Sequence, residues 1–267
     1  MSFKNSKTLL LTVFLLLGGK LFVLGANAQE QPKLELSLIP SIGFNFSYSQ
    51  LAKGYIRKDL VYTNLYPARD FYWGLGLQAN YNNDWIVSMI LCETGIGGGF
   101  RAKDQRISST SSASTDGLLL NIEKGLFETK PINILNQKVS YKFNLLWGVG
   151  INWIPKPDRI KIEIRKYTFG IYTIRTSSPV NDISGNVTIG FTNVIQINKK
   201  STLKLGAIYT YGLTPSRRFD YQLTYTYLPK NPEENFSIYT GRHRMLLFLE
   251  YPIILYKNKA QKSYYAN

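Results

Sequence analysis

The chain has 267 residues, of which 14% are aromatic, and a formal net charge of +15 at pH 7. It contains one cysteine and one histidine, which excludes an internal disulfide framework and any metal site built from several cysteine or histidine ligands. Basic chains of this size often bind nucleic acid, but this one has no zinc-finger spacing, recognition helix or glycine-rich phosphate loop. We therefore expect no nucleic-acid partner.

The first 28 residues have the pattern of a secretory signal peptide. Lys4 and Lys7 precede apolar runs at 9–17 and 21–24, and the segment ends in the small-residue sequence 26–28. The alternative is a membrane-anchoring helix. Residues 18–20, Gly-Gly-Lys, interrupt the apolar runs, which fall short of the roughly 20 residues that a spanning helix needs. We predict a cleaved signal peptide over 1–28 and an exported protein.

Eight strand-like segments follow, and each alternates large apolar residues with small or polar ones. They lie at 34–48, 71–81, 85–91, 118–123, 139–153, 186–197, 202–211 and 244–256. The clearest runs from Val139 to Trp153, where eight large apolar residues alternate with Ser, Lys, Asn, Leu and Gly. Successive side chains of a strand point to opposite faces, so each segment has one apolar and one mostly polar face.

This alternation predicts an all-β fold, an antiparallel up-and-down transmembrane β-barrel over residues 29–256 with a short tail at 257–267. After the signal peptide no apolar run reaches helical membrane length, and a closed barrel is the other structure that satisfies its backbone in lipid. The joins after the second and sixth strands are tight, and those after the odd-numbered strands are long. Such asymmetry predicts short periplasmic turns, long extracellular loops and periplasmic termini.

A ten-stranded barrel is the alternative. Residues 160–164 and 171–174 alternate like strands within one long loop, and 219–227 do so within another. We predict that these pieces form hairpins above the membrane, because they are short for a span of about 9–11 residues.

On this alternation and loop asymmetry, over nearly all of the mature chain, the sequence resembles the small eight-stranded outer-membrane barrels typified by the OmpA transmembrane domain and OmpX. Tyr256 matches the aromatic residue that ends the last strand in that group. The resemblance implies an outer-membrane location in a Gram-negative bacterium and contact with membrane lipid. It implies no cofactor.

Five charged residues fall on the predicted lumen face: Glu35, Glu123, Lys142, Lys204 and Glu250. One interpretation is a gate or polar conduit. The interpretation we favour is a plug of paired charges, because an eight-stranded barrel is just wide enough for its own side chains and buried charges need partners. Lys204 is the predicted neutraliser of Glu250, on the adjacent strand.

The predicted outer loops are basic. Their candidate surface residues are Arg57, Lys58, Arg101, Arg106, Arg159, Lys161, Arg165, Lys166, Arg175, Arg217 and Arg218. We expect them to lie among anionic lipopolysaccharide headgroups; recognition of a phosphate or sugar ligand is the alternative.

Catalysis is not expected. Lipid A deacylases of the PagL type are eight-stranded barrels with a Ser-His-Glu site in which Ser and His lie two residues apart. His243 has Gly241 and Met245 at those positions. We therefore expect a structural, interaction or narrow-pore role, with no metal. Two alternatives stay open: an accessory subunit that docks through 128–138 or the tail onto a periplasmic or outer-membrane protein, and a lipid A hydrolase.

Overall fold

The computed structural model describes residues 33–51, 63–82, 84–102, 108–135, 137–154, 163–167, 171–197, 201–225 and 233–258. The predicted signal peptide at 1–28 lies outside these ranges, as do five of the predicted surface residues: Arg57, Lys58, Arg106, Arg159 and Lys161. Within the described ranges no helix is long and apolar enough to cross a membrane.

The described residues form fourteen strands: β1 (Leu34–Leu51), β2 (Thr63–Tyr66), β3 (Ala68–Tyr81), β4 (Trp85–Ala102), β5 (Ser108–Glu128), β6 (Ile132–Ile134), β7 (Gln137–Trp153), β8 (Glu163–Tyr167), β9 (Ile171–Pro179), β10 (Ile183–Ile197), β11 (Ser201–Gly212), β12 (Arg217–Tyr225), β13 (Glu233–Glu250) and β14 (Ile253–Lys257).

Eight of these strands form a closed antiparallel barrel. Neighbours pair in the order β1-β3-β4-β5-β7-β10-β11-β13, and β13 pairs with β1 to close the ring. These are the eight predicted segments in the predicted order. The ten-stranded alternative is wrong, because the ring closes without the strands of the loops.

The barrel strands are staggered. Starting at Ser47 on β1 and passing through directly opposed residues on the other seven strands, the path returns to β1 at Ser37, ten residues lower. Each step from strand to strand along this path thus descends by slightly more than one residue. Stagger of this kind tilts the strands, and with eight strands it leaves an interior that side chains fill.

The two faces of the barrel strands differ as the alternation predicted. All eight strands carry exposed large apolar side chains on the outer face, with Phe71, Ile189 and Ile183 between 57% and 59% exposed. The inward positions are mostly buried, and many are polar. The outer surface is therefore an apolar belt, and the polar groups face the lumen.

The two ends of the barrel differ in their connections. One end, called here the turn end, carries the connections at 82–84, 129–136 and 198–200. At the other, the loop end, β12, β9 and β8 continue the sheet from the first half of β13. The strand-like loop segments thus join edge to edge in one extension.

The last barrel strand continues beyond a short break. Ser41 opposes Glu250, and Leu38 opposes Ile253 in the same register, so β14 prolongs β13 along β1. The break falls at 251–252, where Pro252 has no N–H for the ladder. β14 ends at Lys257, so the first residue of the predicted tail belongs to the sheet; residues 259–267 lie outside the described ranges.

Candidate functional site in the barrel lumen

Three buried charged residues meet in the lumen near the turn end. Lys204 on β11 directly opposes Glu250 on β13, and its Nζ lies 2.9 Å from the Glu250 Oε2 atom. The same Nζ forms an ion pair with Glu123 on β5. All three side chains point inward because they occupy the polar phase of their strands, and each is at most 1% exposed. We call Glu123, Lys204 and Glu250 the ion cluster.

Uncharged side chains add hydrogen bonds to the ion cluster. Thr192 and Asn144 donate to the Glu123 Oε2 atom at 2.6 and 3.2 Å. Ser41 donates to the Glu250 Oε1 atom at 3.1 Å, and Lys204 donates to the Gln78 Oε1 atom at 3.4 Å. Glu123 is thus held by two neutral donors besides Lys204, whereas Glu250 has one.

An apolar layer follows toward the loop end. Its buried side chains form one contiguous cluster: Ile39, Tyr72, Ile90, Cys92, Leu119, Leu146, Ile208, Leu246 and Phe248. The Phe248 ring lies over Gly206, where an added β-carbon would come within 2.2 Å of it. Gly206 directly opposes Phe248 on the neighbouring strand, so its missing side chain leaves room for the ring on the inner wall. The layer occupies the level of the lumen next to the ion cluster.

Two of the five predicted luminal charges lie outside the ion cluster. Glu35 is at the turn-end rim, partly exposed, and pairs with Lys257 of β14 at 2.5 Å. Glu250 opposes Ser41, six residues from Glu35 along β1, and Glu35 has its own cation on β14. Lys142 is only partly buried near the same rim, opposes Glu128, and passes over Gly125.

The described basic residues of the loop end occupy different environments. Arg101 lies on β4, Arg165 and Lys166 on β8, and Arg175 on β9. Arg218 is exposed and bonds Asp220 at 2.7 Å, which raises the pKa of the guanidinium. Arg217 differs from the prediction of a surface residue: it is 6% exposed, and burial lowers its pKa.

Three other cations pack against aromatic rings where the apolar belt ends. At the loop end, the Arg69 guanidinium lies 4.2 Å from the Phe44 ring centre, and that of Arg242 lies 5.3 Å from the Tyr211 ring centre. At the turn end, the Lys124 ammonium lies 4.8 Å from the Trp85 ring centre. These cations mark the two rims of the belt.

His243 sits at the loop-end rim. Its Nδ1 lies 2.5 Å from the Tyr209 hydroxyl, and its ring packs against Tyr211. The residue opposite on β1 is Tyr48. These neighbours are all tyrosines, and none of them is a serine or a carboxylate.

Sequence reasoning missed one buried charge. Arg244 follows the inward alternation of Leu246, Phe248 and Glu250 and is 5% exposed in the lumen. Extending that alternation by one step would have identified it. Among the described residues no group of three or more His, Cys, Asp or Glu side chains is placed to hold a metal ion.

No protein-family model and no curated protein matches the sequence. Solved structures do match it. The outer-membrane protein OprG from Pseudomonas aeruginosa is 9% identical, with 83% of this chain and 96% of that chain covered and a TM-score of 0.35. The transport unit of the autotransporter AIDA-I from Escherichia coli is 7% identical, with 86% of this chain and 92% of that chain covered and a TM-score of 0.27. The outer-membrane protease OmpT from Escherichia coli is 8% identical, with 86% of this chain and 98% of that chain covered and a TM-score of 0.22.

Proposed function

We propose that this chain is an outer-membrane β-barrel of a Gram-negative bacterium, with both termini in the periplasm and the loop end at the cell surface. The observation that carries the proposal is the belt of exposed apolar side chains on all eight strands of a closed barrel. In water a belt of this extent would be an aggregation liability, whereas in lipid it is the expected outer surface. The signal-peptide pattern agrees with export.

We further propose a structural or interaction role without catalysis or steady conduction. The ion cluster and the apolar layer occupy successive levels of the lumen, which supports a plug over an open pore. The aromatic neighbours of His243 give no support to a lipid A hydrolase.

The proposed surface ligand is lipopolysaccharide, held first at the loop-end rim. Arg69 and Arg242 each lie against an aromatic ring where the belt ends, which is the depth of the headgroups. Guanidinium groups bind phosphate in a bidentate manner, and the aromatic ring restricts the side chain. The predicted loop cations would extend this basic surface outward.

Retention of lipopolysaccharide by the purified protein tests this role. The double variant Arg69→Gln, Arg242→Gln should retain several-fold less lipopolysaccharide after detergent extraction. Lys124→Gln is the matched control, because it removes the same kind of cation–aromatic pair from the opposite rim, where the inner leaflet lacks lipopolysaccharide. Equal loss in the control and the double variant would contradict the proposal.

One observation favours a second candidate, an accessory subunit. Leu135, in the turn between β6 and β7, is 93% exposed and has a φ of 48°. Ile132 and Ile134 beside it are also exposed. An apolar tip of this kind at the turn end suits a periplasmic protein partner. Leu135→Asp should abolish co-purification of any such partner and leave the fold intact.

A further inference from the structure

A polar layer at the loop-end side of the lumen contains Arg244. The residue is 5% exposed, its Nε has no hydrogen-bond partner, and no carboxylate of the described chain forms an ion pair with it. Burial of a guanidinium without a counter-charge is strongly unfavourable. Lys204 differs in this respect, because two carboxylates surround it.

Two asparagines of the same layer also have unused donors. Asn152 and Asn186 are 1% and 2% exposed, and the Nδ2 atom of each has no hydrogen-bond partner. The barrel stagger brings them to the level of Arg244. Arg244 opposes Thr210, which opposes Thr188 on β10. Because opposed residues descend by slightly more than one residue per strand, the residue of β10 level with Arg244 is about two positions nearer the loop end, at Asn186. Asn152 opposes Ser184 on the same strand.

Gly117 lets Asn152 lie close to the backbone of β5. A β-carbon placed on it would lie 2.9 Å from the Asn152 Oδ1 atom and 3.3 Å from the Cys92 Sγ atom. The missing side chain at Gly117 therefore lets the Asn152 carboxamide pack against the inner wall of β5.

The layer is covered on both sides. Toward the turn end lies the apolar layer, with Leu119 and Leu246 buried. Toward the loop end Gly241, with a φ of 84°, brings the chain against Ile96 and Ser216, both of which are fully buried. An occupant must therefore be small, which excludes a sugar chain or a lipid.

We propose that Arg244, Asn152 and Asn186 form a binding site for one small oxyanion, of the size of phosphate or a short carboxylate. The guanidinium of Arg244 and the side-chain amides of Asn152 and Asn186 would donate hydrogen bonds to the oxyanion, and Arg244 would supply the single positive charge. A bound oxyanion would neutralise Arg244 and satisfy the unused donors at once. This site is separate from the ion cluster and does not depend on a surface role for the protein.

Equilibrium dialysis of the full-length protein in detergent against radiolabelled inorganic phosphate tests the proposal. The wild type should bind one phosphate per barrel. At the same phosphate concentration Arg244→Met should bind less than about a tenth of that amount, because loss of a charge-assisted hydrogen bond lowers the binding constant more than tenfold. Arg218→Met is the control, because it removes an exposed arginine with its own carboxylate partner; it should bind like the wild type.

Asn186→Ala keeps the test valid if Arg244→Met does not fold. Loss of one donor to the anion should raise the dissociation constant for phosphate about tenfold or more. Sodium acetate that displaces phosphate would assign the site to oxyanions in general, and failure to displace it would assign the site to phosphate. Absence of binding by the wild type, or unchanged binding by both Arg244→Met and Asn186→Ala, would overturn the proposal.

Discussion

Lys204 and Glu250 directly oppose each other on β11 and β13, and their charged atoms lie 2.9 Å apart in the lumen. Lys204 also pairs with Glu123, so one ammonium serves two buried carboxylates. The ion cluster therefore carries a net negative charge when all three groups are ionised. Because of this imbalance its members are not equivalent, and their substitutions should have unequal effects.

Lys204→Met should lower the free energy of unfolding by about 3–5 kcal/mol, because it leaves two carboxylates buried without a cation. Glu250→Gln should lower the free energy of unfolding much less, because Lys204 still pairs with Glu123 and the excess negative charge of the cluster is removed. Glu123→Gln should be intermediate, because Thr192 and Asn144 also lose an ionic acceptor. Urea unfolding in detergent or lipid gives all three values.

A double-mutant cycle on Lys204 and Glu250 provides the control for that prediction. Replacing both by apolar residues should recover part of the loss caused by Lys204→Met alone, and the coupling energy should be clearly different from zero. Additive effects of the two substitutions would show that the pair does not stabilise the barrel.

Ile189→Arg should impair membrane insertion by about 2–4 kcal/mol, the cost of arginine near the bilayer midplane on the lipid face of a barrel. Ile183→Arg is a matched control on the same strand and the same face, with nearly the same exposure, but at the loop-end boundary of β10. It should cost only about 0–1 kcal/mol. Refolding yields into lipid vesicles over a urea series measure both. Equal costs at the two depths would contradict the assignment of the outer face to lipid.

The facing of the barrel strands could be predicted because it depends only on alternation along each strand. The pairing of Lys204 with Glu250 was equally accessible, since it needs only the order of neighbouring strands. Glu123 is different: it reaches Lys204 from β5, across the lumen, and that contact depends on the ten-residue stagger, which no local pattern encodes. Glu35 occupies the inward phase of β1 at the rim, and its pair with Lys257 was not predicted because Lys257 was assigned to a tail outside the sheet.

The turn between β3 and β4 should have a measurable acid dependence. Lys124 bonds the Asp84 carboxylate at 2.5 Å and lowers the pKa of Asp84 below its ordinary value of 3.8. Stabilisation by this pair is therefore present above the unfolded-state pKa and is lost as the pH falls through the lower folded-state pKa. The difference in unfolding free energy between the wild type and Asp84→Asn should vanish in acid below that value. A difference that stays constant with pH would exclude the ion pair as its cause.

Cysteine labelling on intact cells should distinguish the two ends of the barrel. A cysteine at Asn235, exposed on the loop-end extension, should react with a membrane-impermeant maleimide, and one at Leu135 should react only after lysis. The native Cys92 is buried and should stay unlabelled in both variants. Labelling of position 135 but not 235 on intact cells would reverse the proposed orientation.

The most direct test of a plugged barrel in lipid is the conductance of the full-length wild type in planar bilayers, after insertion has been verified by resistance to protease. We expect no steady ion conductance, because buried side chains of the ion cluster and the apolar layer occupy successive levels of the lumen. Lys204→Met, if it inserts, should show intermittent openings as the unpaired carboxylates draw water into the lumen. Steady conductance of the inserted wild type would contradict the plug and establish an open pore.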